Sequence, residues 1–217
     1  MITAPTRRYT YCNNSDEIYR QSFSIIRAEA DLAALPAEAK PIAVRMIHAS
    51  GDVALPQLLA ISDRLVPAAR AALDEGAPIF TDSQMLAAGI TRSRLPADNA
   101  IRCLLRDARV PGLAELWGTT RAAAAVSLWG PDLAGAVVAI GNAPTALFHL
   151  LELIHDGGPQ PAAIIGMPVG FVGSTESKEA LAANPWQIPY ATVRGRRGGS
   201  AMAASAVNAL AQEAEIG

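Results

Sequence analysis

Apolar positions recur with a helical spacing through the first third of the chain. Further on they gather into short continuous runs separated by helical stretches. Asn14 followed by Glu17 has the form of a capping box and predicts a helix start. Ile18, Ser22, Ile25 and Ile26 then share one face, with Ser22 as its polar member and Glu29 at the solvated edge. Pro36 opens the next segment, where Ile42, Ala43, Met46 and Ile47 form an apolar face and Gly51 stands in the C-cap position. Residues 63–75 predict a further helix ended by Gly76, and residues 1–13 an edge strand or ordered arm.

From residue 77 the pattern changes. Strands are expected at 78–81, 100–105, 136–140, 162–165 and 189–193. Helices are expected after Asp82-Ser83, through Ala122 to Trp129 with Thr119 or Thr120 as cap, after the turn 141–145 as far as Ile154, up to Ala183, and from 200 to 212. Continuous apolar strands alternating with helices of about 10–15 residues predict an α/β fold with a mainly parallel sheet covered on both faces. In such sheets ligands bind beyond the carboxyl ends of the strands. The glycine-rich loops after Ile140, Ile165 and Val193 all occupy that position.

Composition narrows this picture. Of 217 residues 51% are hydrophobic and the net charge is -2, so the chain can bury a full core and is not intrinsically disordered. Two uncharged stretches, 133–151 and 157–175, are cut by glycine, proline and asparagine, and read as strand, turn and helix start rather than membrane spans. No apolar leader with a cleavage site precedes them, which makes the cytoplasm the expected compartment. Cys12 and Cys103 make neither a disulfide framework nor a zinc site. Only Lys40 and Lys178 are lysines, so 16 of the 18 basic residues are arginine, the planar fork suited to carboxylates and phosphates. A slightly negative net charge and the lack of basic runs interleaved with aromatics argue against nucleic acid.

The loops exclude several chemistries. None carries G-x-G-x-x-G, and none carries G-x-S-x-G. The run from Gly166 to Thr175 lacks the lysine of a P-loop, and Pro168 removes a backbone donor. His48, His149 and His155 show no metal-ligand spacing with carboxylates. What remains is backbone N–H groups at helix starts, with Arg194, Arg196 and Arg197 around one loop and Arg121 in the first turn of a helix. Such loops serve either as tight turns or as anion sites. Arg45 and His48, three apart, share a helical face. The helix C-terminus pushes the pKa of His48 up and Arg45 pushes it down, so the net direction stays open. On spacing alone His48 is either a capping surface residue or a functional one.

Six segments in order carry a more specific signal: 18–30 (IYRQSFSIIRAEA), 44–51 (VRMIHASG), 89–92 (GITR), 141–147 (GNAPTAL), 166–173 (GMPVGFVG) with Glu176, Ser177 and Lys178, and 194–200 (RGRRGGS). With these the sequence resembles the precorrin-8X methylmutase family of cobalamin (vitamin B12) biosynthesis over nearly the whole chain. His149 and Trp186 depart from what that resemblance leads one to expect. The resemblance implies one three-layer α/β/α domain spanning residues 1–217, and a homodimer with active sites near the subunit boundary. It implies an isomerase that moves a methyl group from C11 to C12 of the macrocycle, turning precorrin-8X into hydrogenobyrinate, with no cofactor and no metal. By the same resemblance His48 is the catalytic proton donor, and Ser22, Arg45, Thr91, Arg92 and Arg121 contact substrate. A cobalt-precorrin-8 methylmutase of the anaerobic route and a corrinoid-binding carrier are the alternatives. A carrier has no need of a positioned acid.

Overall fold

The computed structural model describes residues 1–6, 8–212 and 214. Helix α1 (Ser15–Glu29) begins at Asn14, whose side chain accepts from the Glu17 amide, so the capping residue acts as its position predicts. Helix α2 (Lys40–Ser50) stops at Gly51, which adopts a φ of 68° that a side chain would strain. There follow β1 (Leu59–Ile61), α3 (Leu65–Asp74), β2 (Ile79–Thr81), α4 (Gln84–Gly89), β3 (Ile101–Arg102), α5 (Val110–Leu116) and α6 (Arg121–Ser127). The chain continues through β4 (Val137–Ile140), α7 (Pro144–His155), β5 (Ala163–Gly166), α8 (Ser174–Ala182), β6 (Tyr190–Val193) and α9 (Ser200–Ala211).

The strands form one sheet in the order β1-β6-β5-β4-β2-β3. All neighbours are parallel except β1 and β6, where Leu59 faces Val193 in antiparallel register. Alternation along each strand sorts the core. Ile79, Val137, Ala139, Ile165 and Val193 pack against α2, α3, α4 and α9, with Phe23 and Ile26 of α1 joining from outside. Phe80, Val138, Ile140 and Ile164 pack on the opposite face against Val126 of α6, Leu147 and Leu150 of α7 and Leu181 of α8. The result is a three-layer α/β/α arrangement with a mainly parallel sheet, as the run of apolar strands predicts.

Local differences have physical causes. Strand β1 and helix α5 escape periodicity: β1 is three half-buried residues on an antiparallel edge, and α5 is seven residues with Pro111 and Gly112 in its first turn. The expected strand over 100–105 is reduced to two edge residues, and the described residues before Asn14 contain no strand. On α1 the buried residues are Phe23 and Ile26, whereas Ile18 and Ile25 remain 43% and 55% exposed. That helix packs on α2 rather than on the sheet, so only a narrow stripe of it is covered.

Candidate active site

The sheet grows in both directions from β2, with β3 on one side and β4 on the other. Helices α4 and α7, which follow β2 and β4, cover opposite faces. This reversal is where an open α/β sheet usually opens a ligand crevice. Here the chain fills it itself. Asp82, directly after β2, is almost fully buried and accepts from the amides of Gly141, Asn142 and Ala143 at 3.0, 2.9 and 2.7 Å. These amides lead into α7, so the carboxylate takes the place an anion would hold at that helix start. Burial pushes the Asp82 carboxyl up from the usual aspartate range, and the amide donors pull against it. Of the three glycine-rich loops, the first is therefore closed by an internal carboxylate.

The other two loops are laced together at the same end of the sheet. The Met167 amide donates to the Ile140 carbonyl, and the Gly199 amide to the Met167 carbonyl, at 2.7 and 2.9 Å. Lys178 is 1% exposed and donates to the Arg197 carbonyl at 2.7 Å. Burial lowers its pKa to about 8. Arg197 pairs with Asp52, which follows the glycine cap of α2. The Arg-rich loop is thereby tied to the end of the helix that carries His48.

His48 lies in the last turn of α2, between the aromatic side chains of α1. Its ring centroid is 5.2 Å from those of Tyr19 and Phe23, edge-on to the latter, and one side stays open to solvent. Nδ1 stands 2.8 Å from the Ser22 hydroxyl, so the polar member of the α1 face meets the histidine directly. Arg45, one turn earlier, lies over the Phe23 ring at 5.8 Å. The direction left open by spacing is decided here. Desolvation, and next the Arg45 charge, lower the pKa of His48 below its ordinary value of 6.5. The described residues contain no group of three His, Cys, Asp or Glu placed to hold a metal.

Ser22, Arg45 and His48 are thus brought together by α1 and α2. Thr91 and Arg92 sit on the short turn after α4, where the Thr91 amide donates to Asn208 of α9 at 2.8 Å. Arg94 ends that turn, buried, its guanidinium donating to the carbonyls of Asn208 and Gln212. Arg45 and Tyr19 act electrostatically on Arg94, which places this turn beside the histidine cluster. Arg121 lies elsewhere. It opens α6 in the opposite helical layer, next to Thr120, whose hydroxyl is 2.8 Å from that of Thr145 at the start of α7. His149, a departure noted in the sequence, meets the Ser127 hydroxyl at 2.7 Å between α6 and α7.

Sequence reading missed Tyr19, Phe23, Arg94 and Asp82. Tyr19, Ser22 and Phe23 are spaced i, i+3, i+4, so one helical face could have grouped them. A buried arginine bonded to backbone carbonyls leaves no sequence signal.

A profile of the precorrin-8X methylmutase family matches residues 17–213. The precorrin-8X methylmutases of a Sinorhizobium species and of Pseudomonas aeruginosa are each 57% identical, over 94% of this chain and 97% and 99% of theirs. Relatives named cobalt-precorrin-8 methylmutase match at 33–38% identity. The crystal structure of precorrin-8X methylmutase from Thermus thermophilus superposes with a TM-score of 0.83 at 38% identity, covering 91% of this chain and 95% of that one. A family match spanning this much of the sequence, on the same fold, is sufficient: the chain belongs to the precorrin-8X methylmutase family.

Proposed function

We propose that the chain is an isomerase of cobalamin biosynthesis that converts precorrin-8X to hydrogenobyrinate by a methyl shift from C11 to C12. The observation that carries this reading is the Ser22–His48 contact between flanking aromatic rings, with Arg45 one turn away. The C11–methyl bond breaks and the C12–methyl bond forms, so no atoms are gained or lost and no co-reactant is consumed. What the ring needs is polarisation. A protonated His48 donates through Nε2 to a ring nitrogen while its Nδ1–H is held by the Ser22 oxygen. The proton returns when the product forms. Positioned proton transfer of this kind contributes about 10²–10⁴-fold.

The free protein disfavours the imidazolium, because burial and Arg45 both lower the pKa of His48. A polycarboxylate substrate brings negative charge to Arg45 and to the histidine, and so restores the proton where it is used. Tyr19, exposed beside the histidine, offers an aromatic face to the flat macrocycle, the buried Phe23 backs the histidine ring, and Thr91, Arg92 and Arg121 are the further substrate contacts of this reading. Ile18 and Ile25 form an exposed apolar stripe on α1, which supports a homodimer with the site near its boundary. Higher identity to relatives named for the cobalt-free substrate favours precorrin-8X over its cobalt-containing form.

The test is to mix the purified protein with precorrin-8X and follow the absorption spectrum, with cobalt-precorrin-8 in a parallel arm. Appearance of the corrin spectrum in the first arm supports the proposal. No change with either substrate refutes it, and turnover of the cobalt form alone reassigns the substrate.

A further inference from the structure

The paired loops beyond β5 and β6 hold an apolar and cationic surface distinct from the Ser22, Arg45 and His48 cluster. Phe171 and Val172 are 83% and 87% exposed, at a place where the backbone beneath them is fixed. The Gly170 amide donates to the Arg196 carbonyl at 3.3 Å, and the Ser174 hydroxyl to the Pro168 carbonyl at 2.8 Å. Lys178 pins the Arg197 carbonyl from below. The exposed aromatic ring therefore stands on a rigid base rather than at a frayed tip. The Arg196 guanidinium lies over that ring, 5.1 Å from its centroid. Beside them is a pocket of about 290 Å³ lined by Val169, Phe171, Arg196, Arg197 and Met202.

Charge divides the two arginines. Arg197 is committed to Asp52, whereas Arg196 has no acidic partner among the described residues. A planar cation stacked on an exposed ring, next to an apolar pocket, matches a ligand that is flat and apolar at its edge and carries a carboxylate on a short arm. Building on the proposed function, we infer that Phe171 and Arg196 form a subsite for the edge of the macrocycle. Phe171 packs on a pyrrole-derived ring, and Arg196 holds the acetate or propionate arm that projects from it. The Arg197–Asp52 pair links this subsite to the end of α2, and hence to His48. Its size suits one ring and one arm rather than the whole macrocycle, so the remaining arms fall to the arginines around His48.

Hydrogenobyrinate is the probe. Its dissociation constant would be measured by absorbance titration for the parent, Phe171→Ala, Arg196→Met and Arg196→Lys, at low and high salt. Arg196→Met should weaken binding about 10- to 100-fold and reduce its salt dependence, because a charge-assisted carboxylate contact is lost. Phe171→Ala should weaken it about 10-fold through lost stacking, and Arg196→Lys should recover part of the affinity. In the methylmutase assay the loss should fall on KM, with kcat within about threefold of the parent, since His48 is untouched. Parental binding with all three variants unchanged would overturn the subsite and leave the function standing. So would an affinity loss in Phe171→Ala that tracks a change in sedimentation, which would assign the ring to a subunit contact. If the parent itself neither binds the product nor turns over precorrin-8X, the function falls and takes the subsite with it.

Discussion

Replacing Asp82 with alanine should destabilise the fold and reopen an anion site. The carboxylate accepts from three consecutive amides, and alanine leaves all three without an acceptor. Their environments differ. Gly141 is buried, Ala143 half-buried and Asn142 exposed. The first donor therefore suffers the full cost of an unmet buried N–H, about 1–3 kcal/mol, while water reaches the other two and limits each loss to about 0.5–1 kcal/mol. The sum is about 2–5 kcal/mol. In a protein of this size that lowers the midpoint of thermal unfolding by about 4–20 °C. The sign with pH follows from the raised pKa of Asp82. A carboxyl raised in the folded state contributes stability below its unfolded pKa and loses it as pH rises through the folded value. The gap between parent and variant should thus be widest in acid and narrow toward neutrality. Urea unfolding followed by circular dichroism at several pH values measures this. Sulfate or formate, seated on the vacated amides, should stabilise the variant more than the parent. A variant within about 0.5 kcal/mol of the parent at every pH, a range typical of neutral surface changes, would refute the idea that Asp82 closes the loop. A gap that widens as pH rises would refute the sign.

Other predictions concern the histidine and the loops. His48→Ala should reduce turnover about 10²-fold or more while hydrogenobyrinate still binds, because the proton donor is lost and the cleft remains; steady-state kinetics beside a binding titration reads both. Arg45→Met removes a positive neighbour, so the pH above which kcat/KM declines, which reports His48 in the free enzyme, should move upward; a downward or absent shift in the pH–rate profile would separate Arg45 from His48. Gly198→Ala places a methyl group onto the Met167 carbonyl and 2.8 Å from that of Pro168, at a φ of 155°. It should pry the two loops apart and weaken product binding about 10-fold or more with His48 intact; unchanged affinity in a titration would show that the loops take no part.

The layer architecture was legible because it rests on local patterns. Continuous apolar strands such as 137–140 and 163–166 are buried on both faces, which only a covered parallel sheet allows. Asn14 and Gly51 act as helix punctuation through their own side chain and backbone freedom, whatever surrounds them. The positions of Ser22, Arg45 and His48 came from the resemblance, and helical spacing joined only Arg45 to His48. That Ser22 meets His48 depends on two helices crossing, which periodicity along either one does not encode.

Sequence alone thus determined what short-range physics governs: the α/β alternation, most helix starts and stops, the glycine-rich turns at strand ends, and the segments that mark the family. Tertiary structure decided what depends on neighbours remote in the chain. It lowered the pKa of His48, because burial against the rings of α1 desolvates the imidazolium and the charge of Arg45 repels its proton. It set Arg121 in the other helical layer and brought the unforeseen Arg94 toward Arg45. It also gave one of three similar loops to Asp82, since which backbone amides stay free for a ligand is settled only when strands β2 and β4 lie side by side.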